Sequence, residues 1–406
     1  MSGRRVDHVV YVCLDPGVPV FGRKGCSVHV QEVLRELVRR GIGVELVAAR
    51  TGGPAPAGLE SVVVHELGRP RAAGNADLER RLVRADEDAA ALVLDLLAAA
   101  GPGDSLVYQR FSLWSCAVLE AAGAAGATTV LEVNSPLVEE QARHRVLVDV
   151  DGARIRAARA VVAAHLPYAV SGPVARWARD LCGRDLRVVP NGVDPSRFPS
   201  RPRRQAGADR LTVAFVGTFR PWHGLELLVD AAASLRGLDG LPLRLLLVGD
   251  GPGRADVLAT AEAAGLDVEA PGAVDHDEVA RLLAGADVAV APYPEGEPYF
   301  SPLKVMEYLA AGLPTVSGAV ADLPRLFADG AELLLVPPGD PAALADALQR
   351  LRTDDALRRR LGRAAATAVR RRHTWESVVS SVVEAAVEAR PAGEDGTGRI
   401  DRREVA

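Results

Sequence analysis

The sequence is poor in the residues that mark disulfide-held, metal-held or polyanion-binding proteins. Only four of its 406 residues are cysteine, Cys13, Cys26, Cys116 and Cys182, and none stands in a CxxC pair. That scattering excludes a disulfide framework and fits packed thiols in a reducing compartment. Cys26 and His29 lie close together, but no second ligand pair accompanies them, so no metal site is expected. Surplus positive charge is also missing: 48 Lys and Arg face 53 Asp and Glu, for a net charge of −5. Coating nucleic acid needs clustered cations, so no nucleic-acid partner is expected. The runs Arg80-Arg81 and Arg370-Arg371-Arg372 read as solvated helix faces. Long apolar runs are absent too. The N-terminal apolar stretch is only about nine residues, too short for a signal peptide, and nothing approaches the roughly 20 needed to span a bilayer. These absences predict a cytoplasmic protein with at most peripheral membrane contact.

What is present is a folded chain, 48% hydrophobic and 25% charged, long enough for two domains with separate cores. Short β-rich runs alternate with helix-period segments throughout. In the first half they are Val6–Leu14, Val44–Ala48, Ser61–Glu66, Ser105–Gln109, Thr128–Val133 and Arg187–Val189. In the second they are Leu211–Val216, Leu243–Val248, Val268–Ala270, Val288–Ala291, Thr315–Ser317 and Leu333–Val336. Most are continuously apolar, as parallel strands covered by helices on both faces must be. The pattern restarts near Leu211 and predicts two Rossmann-like, doubly wound α/β domains facing a central cleft. The expected boundaries are 1–190, 191–373, a helix over 374–390 returning to the first domain, and a disordered tail over 391–406. Pro190 and Asn191-Gly192 punctuate the junction.

The most informative segment is Tyr299–Pro314. Ser301-Pro302 reads as a helix start and Gly312 with Pro314 as its stop. Between them only Lys304 and Glu307 interrupt an apolar helix. A helix N-terminus attracts phosphate, Lys304 adds a cation beside a diphosphate, and Glu307 can accept ribose hydroxyls. A structural i,i+3 ion pair accounts for the same two residues. In the first half, Phe21-Gly22-Arg23-Lys24-Gly25 precedes Ser27, a candidate N-cap, and apolar residues then recur at helix period. Two glycines allow close backbone approach to an anion, or simply a turn. Gly249-Asp250-Gly251-Pro252-Gly253 lacks the third glycine of a dinucleotide fingerprint and reads as a tight turn. His29 and His165 have no evident partners and read as core or surface residues.

The stretch Val213–Gly339 resembles the donor-binding half of the family 4 retaining glycosyltransferases, which have the GT-B fold. The matching pieces are Phe215-Val216-Gly217, Val248–Pro252, Gly285–Val288, the Ser301–Gly312 helix in its Ser-Pro-Leu-Lys variant, and Leu335–Asp340. Asn191-Gly192-Val193-Asp194 resembles the interdomain turn, and His373-Thr374-Trp375 the start of the returning helix. The resemblance implies transfer of a sugar from a nucleotide-diphosphate sugar to an acceptor hydroxyl, with retention and without a cofactor or metal. It implies donor contacts from Gly22, Gly25, Gly217, Arg220, Gly249, Ser301, Lys304 and Glu307.

Three positions depart from the family pattern. Tyr299 stands where a glutamate near the donor sugar is usual, with Glu295 and Glu297 just upstream. Thr218 and His223 stand where an Arg and a Lys usually grip the diphosphate, leaving Arg220 and Lys304 to take over. On the acceptor side, Glu132 and Asn134 end a strand where the family often presents a histidine. They are the candidates for contact with the reacting sugar, with a turn or capping role open for Asn134. The acceptor is a small molecule or a lipid-linked glycan. A sugar-nucleotide epimerase or hydrolase on the same fold, or a silent partner subunit, remains the alternative.

Overall fold

The computed structural model describes residues 6–100, 105–198, 209–296, 299 and 303–389. In the first half the continuously apolar runs form β1 (His8–Cys13), β2 (Gly43–Ala48), β3 (Val63–Glu66), β4 (Ser105–Arg110), β5 (Thr128–Val133), β6 (Leu166–Ala169) and β7 (Arg187–Val188). They pair in the order β3-β2-β1-β4-β5-β6-β7, every pair parallel. Helices α1 (Gly25–Arg39), α2 (Asn75–Ala100), α3 (Ala117–Ala124), α4 (Leu137–His144), α5 (Val150–Ala163) and α6 (Gly172–Cys182) connect them.

The second sheet contains β8 (Leu211–Val216), β9 (Leu243–Val248), β10 (Asp267–Gly272), β11 (Val288–Ala291), β12 (Thr315–Gly318) and β13 (Leu334–Val336), again all parallel, in the order β10-β9-β8-β11-β12-β13. Its helices are α7 (Leu225–Ser234), α8 (Arg254–Ala263), α9 (His276–Gly285), α10 (Leu303–Ala310), α11 (Leu323–Leu326), α12 (Pro341–Thr353) and α13 (Asp355–Arg372). The central strands of each sheet are buried on both faces, whereas the edge strands β3, β7 and β10 are partly exposed. The carboxyl ends of the strands are where the chemistry collects.

The chain passes between the sheets at two places, and the two crossings are bonded to each other. Val193 N–H donates to the His373 carbonyl at 3.0 Å, and Trp375 N–H to the Val193 carbonyl at 3.3 Å. A Cβ on Gly192 would lie 2.6 Å from Trp375 N, so only glycine lets the crossings come this close. After the second crossing, α14 (Trp375–Glu388) begins on a Thr374 cap and packs Trp375, Val378, Val379 and Val382 into the core beneath β1 and α1. The chain's end therefore stabilises the domain in which the chain begins.

Two local expectations are corrected. The strand β6 was not among the expected runs, and Pro167 within its four residues is a local signal against a ladder. It forms because its neighbours β5 and β7 hold it on both sides. The helix α1 does not start on Ser27: it starts at Gly25 after Lys24, without a side-chain cap, and Ser27 is fully buried in its first turn. The preceding loop is held instead by Gln31, whose amide donates to the Val20 and Gly22 carbonyls at 2.8 and 2.9 Å. Ser301, Pro302, Glu297 and the 391–406 tail lie outside the described residues.

Candidate active site

On the first sheet, strand register alone builds a polar row. Cys13 pairs with Arg110, Arg110 with Glu132 and Glu132 with Tyr168, across β1, β4, β5 and β6. All sit near the carboxyl ends of their strands. Glu132 is 0% exposed and accepts from Tyr108 at 2.7 Å, Tyr168 at 2.5 Å, Arg110 at 3.1 Å and the Asn134 amide at 2.7 Å. His29 Nε2 from α1 lies 2.8 Å from the same carboxylate, its ring edge-on to Trp375 at 4.8 Å. Burial alone would raise the Glu132 pKa, but His29, Arg110 and the Tyr168 hydroxyl hold it well below the usual carboxylate range. The expected direct contact between Glu132 and a sugar does not fit this burial, because its acceptor positions are taken by the protein. Asn134 is the reachable member. Its amide is fixed on Glu132, and its Oδ1 is buried without a hydrogen-bond partner among the described residues.

On the second sheet the ends of β8 and β9 are glycine for a steric reason. Gly217 and Gly249 have φ of 155° and 132°, and a Cβ on Gly249 would collide with the Gly217 carbonyl. A Cβ on Gly217 would lie 2.8 Å from Lys304 Nζ. The ammonium thus sits directly against bare backbone, 4.6 Å from the centre of the Phe215 ring and 5.6 Å from that of Tyr293. Although the Lys304 stem is half-buried, its Nζ is out of contact with water and has no hydrogen-bond partner among the described residues. Burial pushes its pKa down to about 7, with Glu307 only partly opposing. The i,i+3 pairing open from sequence is not made: Glu307 faces His276 of α9, whose Nε2 is 3.1 Å from its carboxylate.

His223 lies beside this group, its ring 6.0 Å from that of Phe215. Its Nδ1 bonds the Thr218 carbonyl at 2.5 Å, and burial together with the Lys304 charge brings its pKa down to about 4. Arg220 is exposed, its guanidinium 5.5 Å from the Trp222 ring centre.

Contacts across the cleft bring the two sheets' ends together. A Cβ on Gly25 would stand 3.7 Å from Leu303 Cδ1, so the N-terminus of α1 faces the start of α10. Gly22 is instead a turn residue, its N–H bonded to the Pro19 carbonyl at 2.8 Å. Trp222 approaches His144 at the end of α4, ring centres 6.0 Å apart. At the far side, Ser171 Oγ donates to the Tyr299 carbonyl, and Gly172 N–H donates to Asp322 Oδ2 at 2.6 Å. Asp322 thereby caps α6 from the opposite domain, and the residue before it, Ala321, has a φ of 49°.

Arg110, His276 and Asp322 were not singled out from sequence, and His29, read there as a core or surface residue without a partner, meets Glu132. Arg110 and Glu132 were detectable in principle, since charged residues ending two buried strands call for each other. His165 likewise has a partner: its Nδ1 meets the Thr129 backbone N–H at 3.1 Å. His276 and Asp322 carry no local signal, because their partners are 31 and 150 positions away.

Two family profiles match the chain, "Glycosyltransferase Family 4" over residues 23–197 and "Glycosyl transferases group 1" over residues 210–354. A phosphatidyl-myo-inositol mannosyltransferase of Mycobacterium leprae is 36% identical over 220 residues, covering 53% of this chain and 57% of that protein. An alpha-D-kanosaminyltransferase of Streptomyces kanamyceticus is 31% identical over 162 residues, 39% of this chain and 40% of that one. The chain therefore matches only about half the length of these curated relatives, or less. Among solved structures, sucrose-phosphate synthase of Thermosynechococcus elongatus superposes with a TM-score of 0.71 at 19% identity, covering 94% of this chain and 98% of that one. Anabaena HepE in complex with UDP and glucose gives 0.68 at 19% identity, over 93% and 98% of the chains. No helix among the described residues is long and apolar enough to cross a membrane. The chain has the GT-B fold, and each of its two halves is similar to a glycosyltransferase domain family.

Proposed function

We propose that the protein is a retaining glycosyltransferase that moves a sugar from a nucleotide-diphosphate sugar to an acceptor hydroxyl, in glycolipid, envelope-glycan or natural-product assembly. One observation carries this reading: the Lys304 Nζ, buried at the strand ends of the second sheet without a hydrogen-bond partner among the described residues. A buried cation without a partner is costly, and a diphosphate seated there removes the cost. Glu307, steadied by His276, accepts the ribose hydroxyls. In the transfer, the bond from the anomeric carbon to the diphosphate breaks as the acceptor oxygen bonds that carbon. Negative charge then grows on the leaving phosphate, where Lys304 and the start of α10 stabilise it without a metal or cofactor. Arg220, exposed on its Trp222 platform, adds a further cation.

Across the cleft, Asn134, whose Oδ1 has no hydrogen-bond partner among the described residues, contacts the sugar or the acceptor, and Glu132 positions it. The names of the relatives support both a phosphoinositide glycolipid and a small natural-product acceptor. Contact with a membrane is then peripheral. A panel of UDP-, GDP-, ADP- and TDP-sugars tested by calorimetry checks the donor site. Loss of a charge-assisted hydrogen bond costs about 1.5–3 kcal/mol, so Lys304→Ala and Glu307→Gln should each weaken the best binder by roughly 10- to 150-fold. Unchanged affinity in both variants would refute the assignment.

A further inference from the structure

Among the described residues, exposed large apolar side chains concentrate in the segment that joins α4 to α5. Val146 is 58% exposed, Val148 54% and Ile155 59%, and Val150 between them is exposed too. Single apolar residues on a surface are ordinary, whereas a group of them marks a surface that meets something. Within the loop the side chains alternate. Leu147 packs against the core that contains Phe111, Trp114 and Val138, while Val146 and Val148 on either side of it face solvent.

The loop's backbone is bonded within the protein. The Gln141 amide donates to the Val146 carbonyl at 3.2 Å, and the Val148 and Asp149 N–H groups donate to the Glu79 carboxylate of α2 at 2.7 and 3.0 Å. Glu79 is itself buried, so a buried carboxylate is committed to holding this loop in shape. Asp149 in turn caps α5, accepting from the Gly152 N–H at 2.8 Å. With these peptide groups paired, the two valines can leave water for an apolar medium without stranding them.

Cations border the loop. Arg143 and Arg145 precede Val146 and are exposed, and neither makes an ion pair among the described residues. His144 between them has its ring 6.0 Å from that of Trp222, so the second domain brings an indole that is 45% exposed, together with Arg220, beside the start of the loop. Of the nearby acids, Glu139 is engaged with Arg154 and the Trp177 indole and Asp149 is the cap, while Glu140 and Asp151 lie about a turn to either side. A protein interface of ordinary size covers about 800 Å² on each partner. A fixed loop tip and one indole bordered by arginines is smaller than that and has the makeup of an interfacial anchor.

We infer that residues 143–150 and Trp222 form a docking surface for a lipid bilayer with anionic headgroups. Val146, Val148 and Trp222 enter the interface, and Arg143, Arg145 and Arg220 stay at headgroup level. The inference rests on the glycosyl-transfer reading above and narrows its acceptor. Helix α4 leads from the loop of Asn134 to this tip, and its eight residues span about 12 Å. A docked protein thus holds Asn134 within reach of a hydroxyl on a lipid-linked acceptor, which need not leave the bilayer.

The test is sedimentation of the wild-type protein with vesicles of phosphatidylcholine alone and with vesicles containing about one third phosphatidylglycerol. Each buried valine is worth roughly tenfold in partition, and each arginine near an anionic surface about five-fold. The protein should pellet with the anionic vesicles, far less with the neutral ones, and be released by salt. Val146→Asp combined with Val148→Asp should weaken binding about 100-fold. Arg143→Gln combined with Arg145→Gln should weaken it about 25-fold on the anionic vesicles only. Both double variants change exposed side chains, so each should keep the wild-type melting temperature and nucleotide-sugar affinity. Wild-type protein left in the supernatant, or a valine variant that pellets like wild type, would overturn the inference and leave the donor site standing. Lipid-free dimerisation abolished by the valine changes would assign this face to a second copy and overturn it as well. No binding of any nucleotide sugar would remove the reading beneath it, and the lipid-linked acceptor with it, whatever the vesicles show.

Discussion

Replacing Glu132 by Gln changes one oxygen for nitrogen and leaves the volume alone, yet the structure gives it a large cost. The carboxylate is 0% exposed, and Arg110 beside it is 9% exposed. Removing the negative charge leaves the guanidinium buried without its partner, a loss of about 3–5 kcal/mol in comparable buried pairs. The new amide nitrogen also sets N–H donors against the two groups that donate to the oxygen it replaces, either Tyr108 and Tyr168 or Arg110 and Asn134. For a domain of this size each kcal/mol moves the melting temperature by roughly 2–4 °C, so Glu132→Gln should melt about 6–20 °C below wild type. Thermal unfolding followed by circular dichroism measures this.

The effect also has a pH signature. Because the folded protein holds the Glu132 pKa below its ordinary 4.5, the stabilisation is present above that value and is lost as pH falls through the depressed folded pKa. The gap between wild type and variant should therefore be full at pH 7 and narrow below about pH 4.5. Adding Arg110→Met removes the stranded cation, and the double variant should recover much of the loss. A single variant melting within 2 °C of wild type would refute the hub role, with "about 2 °C" the scale of a 1 kcal/mol effect. So would a double variant no better than the single one.

Three further outcomes are expected. Gly249→Ala puts a side chain at φ 132° into the Gly217 carbonyl, so strain and overpacking should together cost about 2–6 kcal/mol, read as a lower urea midpoint. Asp322→Ala removes the carboxylate that caps α6 from the opposite domain. It should cost about 1–2 kcal/mol of closure and enlarge the radius of gyration in small-angle scattering, and an unchanged scattering curve would count against a closing contact. Trp222→Ala takes away the platform under Arg220, about 0.5–1 kcal/mol at an exposed site. Donor affinity should fall by only about two- to five-fold, clearly less than for Lys304→Ala.

Most strands were legible because their central residues are buried on both faces, which makes apolar runs such as residues 213–215 and 245–248. The exception, β6, shows the limit: Pro167 carries a local signal against a strand, and only its two neighbours override it. The α10 residues were legible for a related reason. Lys304 and Glu307 are the charges in a helix that otherwise has to be apolar, so they stand out against burial. What they pair with was not legible. The i,i+3 spacing suggested each other, whereas the fold gives Glu307 to His276 and leaves Lys304 with aromatic rings and bare glycine backbone.

Local pattern, then, determined the two parallel α/β halves, the junction at Asn191-Gly192 and the helix on which the proposed donor chemistry rests. All of these depend on periodicity, turn propensity and the exclusion of charge from buried elements, which act within a few residues. Only the tertiary structure decided what the polar residues do. Glu132 became a buried hub because register aligned it with Arg110 and Tyr168 and α1 delivered His29. Asp322 became a cap because two domains meet at α6. Lys304 became a buried amine without a hydrogen-bond partner among the described residues because the fold sets its Nζ against two aromatic rings and bare glycine backbone. Burial and charge pairing are properties of three-dimensional neighbours, and those neighbours are tens to hundreds of residues apart in the chain.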